Sequence, residues 1–103
     1  MTHRLAAAAL AVLLSASPSV AADCAPFAAK LAKAEALDKA NTKAFEERRT
    51  AESCRLMAEA NAIRDDILST THDDCYTAMQ SKIMIKMNRQ TTAAVYSAMC
   101  GKP

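Results

Sequence analysis

The chain has 103 residues, 13 lysines and arginines against 11 acidic residues, and a formal net charge of +2. That near balance excludes a general nucleic-acid binder, whose surface is strongly basic. The single glycine, Gly101, lies near the end of the chain, so the Gly-rich phosphate-binding loops of nucleotide-dependent enzymes are excluded as well.

Residues 1–22 are predicted to be a cleaved signal peptide. A short basic start is followed by the apolar run Leu5–Leu14, which is much shorter than the about 20 residues needed to span a bilayer. Val20 and Ala22 stand three and one residues before a cleavage point ahead of Asp23, which is the signal-peptidase pattern. We therefore predict a bacterial-type signal peptide and a protein of the periplasm or the extracellular space.

The remaining residues, 23–103, are predicted to form one small domain held by disulfides. An even number of cysteines in an exported chain predicts two disulfides, and a domain of this size has a small core that benefits from them. Asp23 directly before the first cysteine does not fit a lipoprotein signal, so we predict a disulfide there rather than a lipid anchor. The four cysteines are Cys24, Cys54, Cys75 and Cys100.

The composition predicts an all-α fold, a small three- or four-helix bundle. Good helix formers dominate the interior, and Pro26 suits a helix start. The first helix carries a thin apolar stripe that includes Phe27, Leu31, Ala34 and Asp38.

The second helix is predicted to lie between two neighbours. It carries two stripes at helical spacing, one through Phe45, Leu56, Ala60, Ile63 and Ile67 and the other through Cys54, Met57, Asn61 and Leu68. Residues 69–71, Ser-Thr-Thr, predict the clearest break in the chain.

The third helical segment is predicted to bury one stripe and expose its opposite side. The buried stripe is Tyr76, Met79, Ile83, Met87, Gln90 and Ala94. Tyr96 and Met99 fall out of phase with it, so we predict a bend within residues 88–92. The opposite side, predicted to be exposed and to bind a partner, consists of Lys82, Ile85, Lys86 and Arg89.

Two disulfide pairings remain open. If the chain reverses near residue 70, the second and third cysteines lie roughly 16 Å out of register and cannot pair. We prefer the pairs Cys24–Cys54 and Cys75–Cys100, which close two helical hairpins with helix ends near Asn41 and Asn88. The alternative, Cys24–Cys75 with Cys54–Cys100, staples the ends of a three-helix bundle. It places a turn at Arg49 and Thr50, with Thr50 as the helix cap, and requires the last helix to end early.

The residues around His72 are the densest group of potential ligands and acid–base groups. The sequence Thr71-His72-Asp73-Asp74-Cys75 suits a helix start, in which Thr71 or Asp73 caps free N–H groups. A Cys–His nucleophile needs a free thiolate, which an oxidised cysteine does not supply. We predict no catalytic residue, no metal site and no cofactor. The carboxylates on both sides of the turn are predicted to form an acidic patch of Asp65, Asp66, Asp73 and Asp74.

The predicted function is that of an exported, non-enzymatic binding or accessory protein, such as an inhibitor, a chaperone-like factor or an assembly factor, that acts through charged helix faces. Its partner would be another envelope or secreted protein, and homodimerisation stays open. One alternative is a copper-handling protein that uses the soft ligands Met84 and Met87 with His72. Another is a membrane-surface protein that uses the amphipathic stripe within residues 76–94, since the chain from Cys75 onward has four basic residues and no acidic one.

Overall fold

The computed structural model describes residues 23–101. The predicted signal peptide, residues 1–22, lies outside the described residues. The described part contains three α-helices, α1 (Ala25–Glu46), α2 (Thr50–Thr70) and α3 (Lys82–Cys100), with a short 3₁₀-helix at Asp73–Cys75 and no strand. Together with two disulfides, these helices confirm the predicted small all-α, disulfide-stapled bundle.

The first helix forms a tight antiparallel hairpin with the second. Pro26 occupies the first turn of α1, where its missing N–H leaves no helical hydrogen bond unmade. The helix buries Phe27, Leu31 and Ala34. It ends at Glu46, and Arg48 adopts a left-handed backbone with φ of 60°, which turns the chain back into α2.

The second helix packs against both other helices, as its two stripes predict, but Phe45 of the first stripe lies in α1 and is exposed. Ile67 from the first stripe belongs to the same buried cluster as Phe27 and Leu31 of α1. Cys54 from the second stripe is bonded to the end of α3. The helix ends at Thr70, and residue 71 is extended, which confirms the predicted break.

The core lies where all three helices and the linker meet. Phe27 and Leu31 of α1 pack with Ile67 of α2, Cys75 of the 3₁₀-helix and Ile85 of α3. Tyr76 closes this end of the bundle. Its ring meets Phe27 edge-on at 5.2 Å, and its hydroxyl donates to the carbonyl of Ile67 at 3.2 Å.

The preferred disulfide pairing is wrong, and the alternative is the one observed. Cys24 is bonded to Cys75 and Cys54 to Cys100, with Cα–Cα distances of 5.3 and 5.9 Å. The preference assumed that the third helix begins directly after the break, whereas α3 begins only at Lys82. Because residues 71–81 form a linker, α3 starts beside the end of α2, and its last residue lies opposite Cys54 instead of beyond it.

The helix ends that accompanied the preferred pairing are wrong as well. Asn41 lies inside α1 and Asn88 inside α3. The turn that belongs to the alternative is correct to within a residue, since α2 begins at Thr50. Thr50 is however the first helical residue, and Arg49 precedes it without a side-chain cap.

The third helix is rotated so that the part of the predicted stripe within α3 faces solvent, whereas Tyr76, before the helix, packs against the core. Ile85, predicted to be exposed, is only 5% exposed. The half-buried residues of α3 lie on the same side of the helix as Ile85, namely Arg89, Thr92, Ala93, Tyr96, Met99 and Cys100. Tyr96 and Met99 are therefore in phase with the true buried face. Since α3 is continuous from Lys82 to Cys100, the predicted bend within residues 88–92 is absent.

Candidate functional site

The most distinctive surface is the side of α3 that points away from α2. We define the outer face of α3 as Ile83, Met87, Gln90, Ala94 and Ala98, all of which are exposed. Ser81 fixes the start of this helix, because its hydroxyl accepts a hydrogen bond from the backbone N–H of Met84 at 3.1 Å.

Large apolar side chains at the N-terminal end of α3 are unusually accessible. Met79, Ile83, Met87 and Met84 are 85%, 72%, 60% and 56% exposed, respectively. Met79 lies in the linker just before the helix, and Met84 lies beside the outer face. Single exposed apolar residues are ordinary, but these four lie close together in sequence at one end of α3, which makes that end a candidate interaction surface. The interpretation of Met79 and Met87 as core residues is therefore wrong.

The predicted basic surface is not assembled as a set. Ile85 is buried, and Arg89 is bound to Asp65 by two hydrogen bonds, Nε to Oδ1 at 2.7 Å and Nη2 to Oδ2 at 3.0 Å. Lys82 lies 3.5 Å from Asp73. Lys86 is exposed and has no ion pair within 4 Å among the described residues. Lys82 and Lys86 therefore both lie along one edge of the outer face of α3.

The predicted acidic patch is divided among separate partners. In addition to the pairs of Asp65 with Arg89 and Asp73 with Lys82, Asp66 pairs with Lys30 of α1 at 2.7 Å. Asp74 lies 3.6 Å from the imidazole of His72. Asp66 and Asp65 thus tie α1 and α3 to α2, and Asp73 ties the linker to α3, so the carboxylates act within the fold.

His72 is the cap of the 3₁₀-helix. Its Nδ1 accepts a hydrogen bond from the backbone N–H of Asp74 at 3.1 Å, so a helix start is present, although the cap is His72 rather than Thr71 or Asp73. Cys75 is buried and oxidised, and so it carries no nucleophilic thiolate. Among residues 23–101, no three His, Cys, Asp or Glu side chains converge on a metal-sized site.

Among residues 23–101, three ionisable groups have shifted pKa values, and each belongs to an ion pair. The hydrogen bond to Asp65 raises the pKa of Arg89. The hydrogen bond from Arg55 lowers the pKa of Glu52, and the same contact raises the pKa of Arg55. Each shift favours the charged form of its side chain, so none of the three groups is suited to exchange a proton in catalysis near neutral pH.

A buried ion pair links α1 to α2. The Arg64 side chain is 3% exposed, and its two terminal nitrogens bind the two carboxylate oxygens of Asp38, which is 40% exposed. The pair lies in a groove of about 190 Å³ that Met79 and Met84 also line. Sequence analysis placed Asp38 on an apolar stripe but did not identify its partner. The sequence does indicate such a partner, because a basic residue, Arg64, lies at helical spacing between the core positions Ala60 and Ile67.

A second groove, of about 250 Å³, separates α2 from α3. Several of the side chains that line this groove are small, which leaves space between the helices, and Asn61 is one of the lining residues. Asn61 is 8% exposed, and its Oδ1 atom has no hydrogen-bond partner among the described residues. The remaining lining residues are Ala58, Ala62, Asp65, Arg89, Ala93, Tyr96 and Ser97.

None of the helices within residues 23–101 is both long enough and apolar enough to cross a membrane. Comparison of the chain with protein-family models, with curated proteins and with solved structures finds no match. The outer face of α3 is therefore identified from its geometry alone.

Proposed function

We propose that this protein is a small, exported, non-enzymatic binding or accessory protein that contacts a partner protein through the outer face of α3. The observation that carries the proposal is the exposure of Ile83 and Met87 on a helix whose other side is fixed to α2. The Cys54–Cys100 bond and the Arg89–Asp65 pair hold α3 against α2. The apolar side chains are thus presented on a rigid support.

Burial of the apolar side chains at this end of α3 supplies part of the free energy of binding. Full burial of Ile83, Met84 and Met87 contributes about 1.5–3 kcal/mol for each side chain. Methionine is unbranched and polarisable, so it adapts to the shape of an apolar partner. Because two of the three side chains are methionines, the surface suits an apolar groove or helix of the partner, even one whose shape does not match a particular side chain.

The charge beside the outer face indicates the chemistry of the partner. Lys82 and Lys86 flank one edge, and the chain from Cys75 onward contains no acidic residue. A partner with an apolar groove and an acidic rim on one side is complementary to this arrangement. The role of the lysines is to orient the partner, since exposed ion pairs contribute little affinity.

Site-specific photo-crosslinking in the native cell envelope tests the proposal. A photoreactive residue replaces Ile83 or Met87, and Ala40, an exposed residue of α1, serves as the control position. We expect a discrete adduct with a different protein from the two α3 positions and none from Ala40. The same yield from all three positions, or no adduct from α3, contradicts the proposal.

A membrane surface is the second candidate occupant, because apolar residues flanked by lysines also suit an anionic bilayer. Flotation of the purified protein with neutral vesicles and with vesicles that contain anionic lipid separates the two. Binding to the partner predicts no flotation with either. Flotation that requires anionic lipid and is lost in a Lys82→Glu, Lys86→Glu variant assigns the outer face to the membrane instead.

A further inference from the structure

The outer face of α3 is self-complementary in size when two copies run antiparallel. Its large side chains, Ile83 and Met87, lie in the N-terminal half of the helix, and its small ones, Ala94 and Ala98, lie in the C-terminal half. A two-fold axis between residues 90 and 91 places Ile83 opposite Ala98 of the second copy. The same axis places Met87 opposite Ala94 of the second copy.

We propose that free molecules of this protein pair through the outer faces of α3 in an antiparallel homodimer. The proposal deepens the proposed function, since it rests on the outer face being a contact surface. Large residues that pack over alanines let two helices approach closely without voids. Gln90 lies next to the axis, where two amides, each with a donor and an acceptor, can bond to each other.

The charges do not oppose this arrangement. Lys86 lies on the flank, and the two Lys86 residues of such a dimer are offset by about 13 Å along the helix axis, from the rise of 1.5 Å per residue. That offset exceeds the Debye length of about 8 Å at physiological salt. Lys82 is offset further, and Arg89 is already paired with Asp65.

The small size of the outer face implies a weak dimer that a partner can displace. Residues 83–98 extend about 22 Å along the helix, and a strip of one helix width is well below the about 800 Å² for each partner in stable complexes. We therefore expect dissociation in the range of about ten to a hundred micromolar. The dimer covers the apolar face until a partner with more contact area replaces the second copy.

Sedimentation equilibrium tests the dimer. Protein produced from the full 103-residue sequence, exported and purified in oxidised form, is examined from about one to several hundred micromolar, a span chosen around that dissociation range. We expect a monomer–dimer equilibrium that Ile83→Asp weakens at least tenfold and Ala40→Asp, with the same charge change on α1, leaves intact. A monomer at all concentrations overturns the proposal, and so does a dimer that Ile83→Asp does not weaken.

Crosslink mapping tests the antiparallel register and separates this proposal from the proposed function. A photoreactive residue in place of Ile83 should attach to the tryptic peptide of the second copy that begins at Gln90, identified after reduction. Attachment to any other peptide of a second copy overturns the register. If adducts with a different protein form in the envelope while the purified protein stays monomeric, the proposed function stands and the homodimer is wrong.

Discussion

At the scale of single residues, the most consequential contact is the ion pair that Arg64 makes beneath the groove between α1 and α3. A guanidinium with 3% of its side chain exposed has its charge balanced by Asp38, which binds two of its nitrogens. Removing one partner of a buried pair is far more damaging than removing both. The pair therefore fixes how α1 sits on α2 while adding modest net stability.

We expect Asp38→Ala to lower the free energy of unfolding by about 2–3 kcal/mol, below the range for fully buried pairs because Asp38 is partly solvated. In the double variant Asp38→Ala, Arg64→Met the buried charge is gone, so most of that loss should be recovered. Urea unfolding followed by circular dichroism measures both. A double variant less stable than Asp38→Ala would contradict this account.

Asn61 is a residue whose replacement should stabilise the protein. Its buried Oδ1 has no partner among the described residues, and burial of an unsatisfied polar atom is unfavourable. Asn61→Leu, which keeps the approximate shape, is expected to raise the free energy of unfolding by about 1 kcal/mol. Asn41→Leu is the control, because Asn41 accepts a hydrogen bond from the buried hydroxyl of Ser53, and its loss should destabilise the protein.

At the scale of elements, the rotation of α3 decides which side of the helix is available for binding. Ile85 and Ile83 are two residues apart on the same helix, yet one is buried and the other is exposed. Both have the same chemistry and the same helix propensity. A comparison of their alanine variants therefore measures the rotation directly.

Ile85→Ala is expected to destabilise the protein by about 2–4 kcal/mol, because it leaves a cavity in the core cluster. Ile83→Ala should change stability by less than about 0.5 kcal/mol, as exposed substitutions do. Thermal or urea unfolding at a protein concentration low enough to exclude self-association gives both values. Equal effects, or the reverse order, would show that the outer face is buried.

At the scale of the whole molecule, the disulfides tie three helices into one unit. Cys24–Cys75 joins the start of α1 to the linker, and Cys54–Cys100 joins α2 to the end of α3. The chain segments that they close, with separations of 51 and 46 residues, overlap in sequence. Loss of unfolded-chain entropy would make each bond stabilise the fold by about 4 kcal/mol when considered alone.

The observed pairing predicts a contrast between two double variants. Cys54→Ser, Cys100→Ser leaves Cys24 and Cys75, which should form their bond and leave no free thiol, at a stability loss of up to about 4 kcal/mol. Cys24→Ser, Cys54→Ser leaves Cys75 in the linker before α3 and Cys100 at the far end of α3, and two free thiols are expected. Thiol titration in denaturant counts them, and an oxidised second variant would support the other pairing.

The sequence by itself determined the helical class, the break after α2, the presence of two disulfides and the position of α2 between two neighbours. These features depend on local properties, namely helix propensity, cysteine number in a chain predicted to be exported, and apolar stripes on a helix that both neighbours cover. The two stripes of α2 could be predicted from the sequence because both face neighbouring helices, so no choice between a buried and an exposed stripe was needed.

Only the tertiary structure decided which cysteines pair and which side of α3 is buried. Both depend on the length of the linker, residues 71–81, since it sets where α3 begins and hence its register along α2. The helix also carries apolar side chains on two sides, Ile85 with Tyr96 and Ile83 with Met87. Periodicity alone cannot choose between two such sides, and here the connection through Cys100 and the core position of Ile85 settle the choice.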